Sequence, residues 1–143
     1  ALAVHEKNKN WSSAAITSSN LAEYYRIKDD QKSSDKYFNI AYNYIQRDTS
    51  KGFGYGTVHN ALGDLIFKKK DYNKAITYYQ KAVDKVPNDF TSPLFLKKLG
   101  LVYEEQKDYK GASKVYARIK TDYPNSNEAS MISAYIARVD AHL

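Results

Sequence analysis

TVHNALGDLIFKKKDYNKAITYYQKAVDKVPN, residues Thr57 to Asn88, reads as two amphipathic helices joined by a tight turn at Lys70-Asp71. Leu62, Gly63, Ile66, Ala75, Tyr79, Ala82 and Pro87 mark its register. The next stretch repeats that register with Leu96, Leu99, Gly100, Tyr103, Ala112, Tyr116, Ile119 and Pro124. The step from Gly63 to Ala75 equals the step from Gly100 to Ala112. It recurs from Ala22 to Ser34 in NLAEYYRIKDDQKSSDKYFNIA, where Leu21, Tyr25, Phe38 and Ala41 fill the other places. Three copies in one register predict three stacked helix pairs.

A glycine inside a helix costs roughly 1 kcal/mol relative to alanine. Gly63 and Gly100 lie in apolar helical runs, so a neighbouring helix is expected to approach closely there. The expectation places the small residues Ala75, Ala82 and Ala112 at that contact, with Tyr79 and Tyr116 on its flank.

These spacings match the L-G-x2-Y, A-x3-F and P pattern of the tetratricopeptide repeat (TPR), with His59 where that repeat usually has Trp. The resemblance implies an all-α fold, a right-handed superhelical solenoid of antiparallel helix pairs with a C-terminal capping helix. It also implies a non-catalytic scaffold that binds a protein or peptide along a concave groove. Over Thr57 to Ala141, the phrases NDFTSP, LKKLGLVYEEQKDYKGASKVYARIKTDYPNS and AYIARVDA are similar to envelope-associated TPR proteins common in Bacteroidetes. That similarity leans towards a bacterial cell envelope, in the periplasm, with the cytoplasm as alternative. The single N-terminal membrane anchor usual in that group has no counterpart in this chain.

The whole chain, 1–143, reads as one repeat domain. Residues 1–9 read as the end of a preceding helix, 12–47 as the first pair, 54–88 as the second, 91–124 as the third and 126–142 as the cap. Helix starts are expected at Ser12 or Ser13, at Ser33 or Ser34, at Thr91 or Ser92 with Pro93 in first position, and at Asn125 with Glu128 three residues on. The step from Ala41 to Gly63 is four residues longer than that from Ala82 to Gly100, the excess falling in RDTSKGFGYG. Longer second helices of this kind resemble the extended TPR variants of bacterial regulators and sensor kinases. A TPR sensory or regulatory segment of a larger bacterial signalling protein is therefore the alternative reading. Gly52, Gly54 and Gly56 form a G-x-G-x-G string, but a phosphate-binding loop should follow a strand and none is visible. A flexible connection is expected there, with Gly56 as a small residue at a helix crossing.

Composition supports a packed helical chain. Hydrophobic residues make up 43%, and three Pro with six Gly leave little room for a β-rich or disordered reading. The absence of Cys removes thiolate nucleophiles, disulfides and Cys-ligated zinc. No apolar run approaches the ~18 residues of a membrane span. The chain begins ALAV, with its one Met at Met131, and reads as a processed or excised segment. The net charge of +6 suits acidic partners or nucleic acid in sum, but the Lys68-Lys69-Lys70 run closes a helix, where cations complement the dipole.

Nothing in the sequence assembles a catalytic or metal site. His5, His59 and His142 stand far apart, and no H-x3-H or HExxH spacing occurs. Glu104-Glu105 and Asp29-Asp30 are adjacent pairs that diverge on a helix or lie in a turn, so neither is a poised acid/base dyad. No cofactor is expected. Fourteen tyrosines invite single-strand stacking, yet Tyr25 with Tyr103, Tyr72 with Tyr109 and Tyr79 with Tyr116 fall on equivalent repeat positions. Packing explains them better, and RNA binding ranks below the protein-binding readings.

In TPR arrays the ligand face lies on the first helix of each pair, opposite the packing stripe. It is expected here at Ile16, Ser19, Glu23 and Arg26, then Thr57, Asn60, Asp64 and Phe67, then Leu94, Lys97, Leu101 and Glu104. Two of these twelve are basic and three acidic, so the basic excess must sit mainly on second helices and turns. The TPR subclass that clamps a C-terminal carboxylate needs Lys and Asn where this chain has Ser19, Glu23, Ala61, Leu94 and Lys98, so that mode is rejected. The partner expected is an extended or helical peptide with apolar residues and at least one Lys or Arg. An oligomer is compatible with the same surface.

Overall fold

The computed structural model describes residues 1–47, 53–85 and 87–143. Among them the chain forms α1 (Leu2–Lys7), α2 (Trp11–Ile27), α3 (Gln31–Arg47), α4 (Phe53–Lys68), α5 (Tyr72–Lys85), α6 (Ser92–Glu105), α7 (Tyr109–Asp122) and α8 (Asn127–Asp140), with no strand. Helices pack as the antiparallel pairs α2/α3, α4/α5 and α6/α7, stacked into a helical solenoid, and α8 closes the end against α7 and α6.

The turns within pairs share one design. Asp29, Lys70 and Lys107 adopt the left-handed conformation at φ 60°, 61° and 60°, each followed by an aspartate. The amide of that aspartate donates back to the preceding helix, Asp108 to Tyr103 O at 2.9 Å and Asp30 to Tyr25 O at 2.9 Å, which closes a Schellman motif. Its side chain then caps the next helix: Asp30 accepts from Ser33 N at 3.0 Å, Asp71 from Lys74 N at 3.3 Å and Asp108 from Gly111 N at 2.9 Å. Lys9-Asn10 repeats the design between α1 and α2, with Lys9 at φ 53° and Asn10 accepting from Ser13 N at 3.1 Å.

Three expected helix starts are corrected, and one, Thr91 before α6, stands. Asn10, not Ser12 or Ser13, caps α2, and Asp30, not Ser33 or Ser34, caps α3. Thr91 occupies the cap position of α6 without a side-chain bond. Asn88 Oδ1 takes the amides of Phe90 and Thr91 instead, at 3.0 and 2.8 Å. Ser126, not Asn125, caps α8 by accepting from Ala129 N at 3.1 Å. Each time a neighbour able to cap sits one to three residues from the one expected, and the backbone turn selects between them.

The connection expected over RDTSKGFGYG falls partly on 48–52, which lie outside the described residues. From Phe53 the chain is already helical, so Gly54 and Gly56 stand in α4 rather than in a loop. A Cβ on Gly56 would meet Ala82 O and Phe95 Cε2 at 3.5 Å, ordinary contact distance, so the crossing does not require glycine there.

Gly63 behaves differently. A Cβ there would stand 2.7 Å from Tyr79 Cε1, and Tyr116 lies against Gly100 in the same way. The close approach is therefore real, but the atoms that demand it belong to tyrosine rings and not to the expected alanines. Ala75, Ala82 and Ala112 are fully buried nearby. In the first pair Ala22 and Ser34 replace glycine and alanine, and Ser34 Oγ donates across the pair to Ala22 O at 2.9 Å.

The core falls into two clusters. One joins α2, α3 and the first half of α4 through Ala15, Ala41, Ile45, Val58 and Leu62. The other runs from Ile66 through α5, α6 and α7 to Ile132 and Val139 of α8. Phe38 and Tyr78 pack against both.

Candidate partner-binding groove

Neighbouring first helices are tied to one another by ion pairs. Glu23 on α2 takes Arg26 at 2.8 and 2.9 Å and, from α4, Lys68 Nζ at 2.7 Å. Asp64 on α4 takes Lys98 Nζ of α6 at 2.8 and 3.0 Å, and Asn60 Oδ1 accepts from the same ammonium at 2.9 Å. Glu104 on α6 takes Arg138 of α8 at 2.6 and 3.0 Å. Three carboxylates thus clasp cations from the next first helix or the cap. Each first helix is thereby tied to the next, and α6 to the cap.

Two of the three also hold a tyrosine. Tyr79 Oη donates to Asp64 at 2.5 Å, and Tyr116 Oη donates to Glu104 at 2.6 Å. Burial, then the hydrogen bond to the carboxylate, raises both phenols far above their ordinary range. Phe38 holds the equivalent place in the first pair and lacks the hydroxyl, so Arg26 takes that role at Glu23. The Arg26 guanidinium, joined by Lys68 and opposed by burial, holds the Glu23 carboxyl at about 2. At Glu104 burial works against ionisation, but the bonds from Arg138 and Tyr116 outweigh it and the carboxyl stays below its usual range.

The expected groove residues divide accordingly. Phe67, Leu101 and Asp64 meet in one cavity of about 200 Å3, with Tyr79, Lys98 and Val102 completing its wall. Ser19, Glu23 and Asp64 line a second cavity of about 150 Å3 with Ala61 and Lys68. Ile16, Arg26, Asn60, Leu94, Lys97 and Glu104 are half-buried on the same helices but line neither. Ser19 is buried and its Oγ donates to Ala15 O at 2.9 Å, so it is committed to its own helix. The side chain of Thr57 lies outside the described residues.

The acids of the groove are therefore already neutralised by this chain's own cations. Asp64, expected on the ligand face, accepts from both Tyr79 and Lys98. Lys68, Lys98, Arg138 and Tyr79 complete the site and were absent from the expected groove set. Their signal was present, since each carboxylate has a cation one first helix further on, but the pairing depends on how adjacent pairs stack.

No group of His, Asp and Glu suited to a metal ion exists among the described residues. His59 is buried with its ring tilted against Tyr78, and His142 stacks on Tyr109 at 4.0 Å. No helix among the described residues is long and apolar enough to cross a membrane.

Two family models, each described as tetratricopeptide repeat, match residues 56–89 and 98–126. No curated protein matches the chain in sequence. Among solved structures, the N-terminal domain of stress-induced protein-1 (STI-1) from C. elegans superposes with a TM-score of 0.66 at 14% identity. The match covers 87% of this chain and 95% of that one.

Proposed function

Because the chain is a tetratricopeptide-repeat protein, we propose that it is a non-catalytic scaffold that holds a peptide or partner-protein segment in the groove of α2, α4 and α6. The observation that carries this reading is the meeting of Phe67 and Leu101 in one cavity between α4 and α6. An apolar anchor can bury itself there without leaving a charge unpaired, because Asp64, Lys98 and Tyr79 already satisfy one another.

This shifts the expected ligand. A Lys or Arg on the peptide would have to displace Lys68, Lys98 or Arg138 from its carboxylate, so affinity rests on the apolar side chain. Capture with the intact chain, with the bound protein identified by mass spectrometry, finds the partner. Titration against Phe67→Ala then tests the site, with an expected loss of about 1–2 kcal/mol. Unchanged affinity in both Phe67→Ala and Leu101→Ala would remove the groove from consideration.

A further inference from the structure

The charge imbalance of the chain lies on its second helices. α3, α5 and α7 carry ten Lys or Arg against three Asp, whereas α2, α4 and α6 carry four against four. The face opposite the groove is therefore strongly basic, and the groove itself is balanced.

Between α3 and α5 this basic face opens into a cleft of about 490 Å3. Phe38, Tyr42, Ile66 and Tyr78 form its apolar wall, and Lys69 and Lys74 stand at it with Asp71. The equivalent place between α5 and α7 holds only about 250 Å3. There Val115 replaces Tyr78 and Gly111 replaces Lys74, while Asp108 keeps the place of Asp71. Lys114 and Arg118 keep the smaller cleft equally basic, so what repeat packing alone does not demand is the larger volume and the extra rings.

We propose that this cleft is a second docking site, for an acidic peptide segment that carries an aromatic side chain. The ring enters between Tyr42, Tyr78 and Phe38, and flanking carboxylates meet Lys74 and Lys81, Lys69 being held by Asp35. Lys74 is free to turn to a ligand: its side chain is 72% exposed and it holds Asp71 only at 3.6 Å. The ring faces favour a peptide over a nucleic acid. Lys69 covers Phe38 at 5.4 Å, Lys81 covers Tyr78 at 5.8 Å, and Tyr42 meets Tyr78 edge-on at 80°. A base needs an open ring face to stack on, whereas a side-chain ring fits among edges. The site is independent of the groove reading and stands or falls without it.

The test uses the whole chain and fluorescein-labelled synthetic peptides: a short Glu-rich peptide with one central Phe, the same with Ala for Phe, and the same with Lys for every Glu. A thymidine oligonucleotide and phosphatidylserine vesicles form separate arms. The Glu/Phe peptide is expected to bind at least about tenfold tighter than the Ala version, and the Lys version not at all. Lys74→Glu and Tyr42→Ala should each weaken it about tenfold, while Phe67→Ala leaves it unchanged. Circular dichroism confirms the fold of each variant, and Lys74→Glu decides alone if Tyr42→Ala loses helicity. The proposal is overturned if Phe and Ala peptides bind equally, if no peptide binds, if the two cleft variants bind like wild type, or if the oligonucleotide or vesicles bind tighter than the peptide through the same residues.

Discussion

Gly100 and Tyr116 share one space: a Cβ on Gly100 would stand 2.1 Å from Tyr116 Cε1, and that ring is fully buried. Neither partner can grow without moving a helix. Gly100→Ala gains up to ~1 kcal/mol of helix propensity but overpacks the pair by about 1–3 kcal/mol, so a net loss of stability is expected. Gly100→Leu should lose more, and Tyr116→Leu should partly restore either. A melting temperature in Gly100→Leu equal to wild type would contradict the packing.

Acid should loosen the groove first. Glu23 has its carboxyl held at about 2, against an ordinary 4.5. Its folded pKa is depressed, so the stability it contributes is full above about pH 4.5 and is lost as pH falls towards 2. Glu104 shifts in the same direction through Arg138 and Tyr116. Thermal melts of Glu23→Gln should show a smaller drop across that window than wild type. An equal drop would mean that Glu23 contributes nothing to acid stability.

Alkali acts through the tyrosines with the opposite sign. Tyr79 and Tyr116 have folded pKa values raised by burial and by their carboxylate partners. The stability this gives is complete below the unfolded value near 10 and declines as pH rises beyond it. Absorbance at the phenolate band should show these two rings ionising together with the loss of helix signal. Ionisation of all the tyrosines before any helix is lost would refute it.

Left-handed positions in the turns are available for stabilisation. Lys107 sits at φ 60°, where a residue with a side chain costs about 1–2 kcal/mol relative to glycine. The greater freedom of glycine when unfolded returns about 0.4–1 kcal/mol of that. Lys107→Gly is expected to raise stability by roughly 0.5–1 kcal/mol on these terms, read as a higher denaturant midpoint with unchanged slope. Lys107→Val should lower it.

The cap protects the last pair. Ile132 and Val139 are fully buried, and burying such a side chain is worth about 1.5–3 kcal/mol. Deleting 126–143 also removes Arg138 from Glu104. The truncated chain should lose helicity or self-associate in gel filtration. A monomer with undiminished helicity in the remaining residues would show that α8 is dispensable.

Periodicity made the helix pairs and their register legible, because small residues and tyrosines recur at fixed steps wherever helices touch. It could not say which atoms touch. Gly63 announced a close approach, yet the ring of Tyr79 rather than Ala75 fills it, since a register gives a position and not a side-chain direction. The caps went astray because Asn10 and Ser13, or Asn125 and Ser126, are chemically equivalent candidates until the turn chooses. The pairing of Asp64 with Lys98 is not legible because Lys98 lies on the next pair, and stacking between pairs is not written in either helix alone.

The two-part core has a mechanical consequence. α4 gives Val58 and Leu62 to one cluster and Ile66 to the other, so the two clusters meet along this one helix. That helix also lines both proposed sites, giving Ile66 to the aromatic cleft and Asp64 and Phe67 to the groove, so a substitution that displaced α4 as a whole would be felt at the two together.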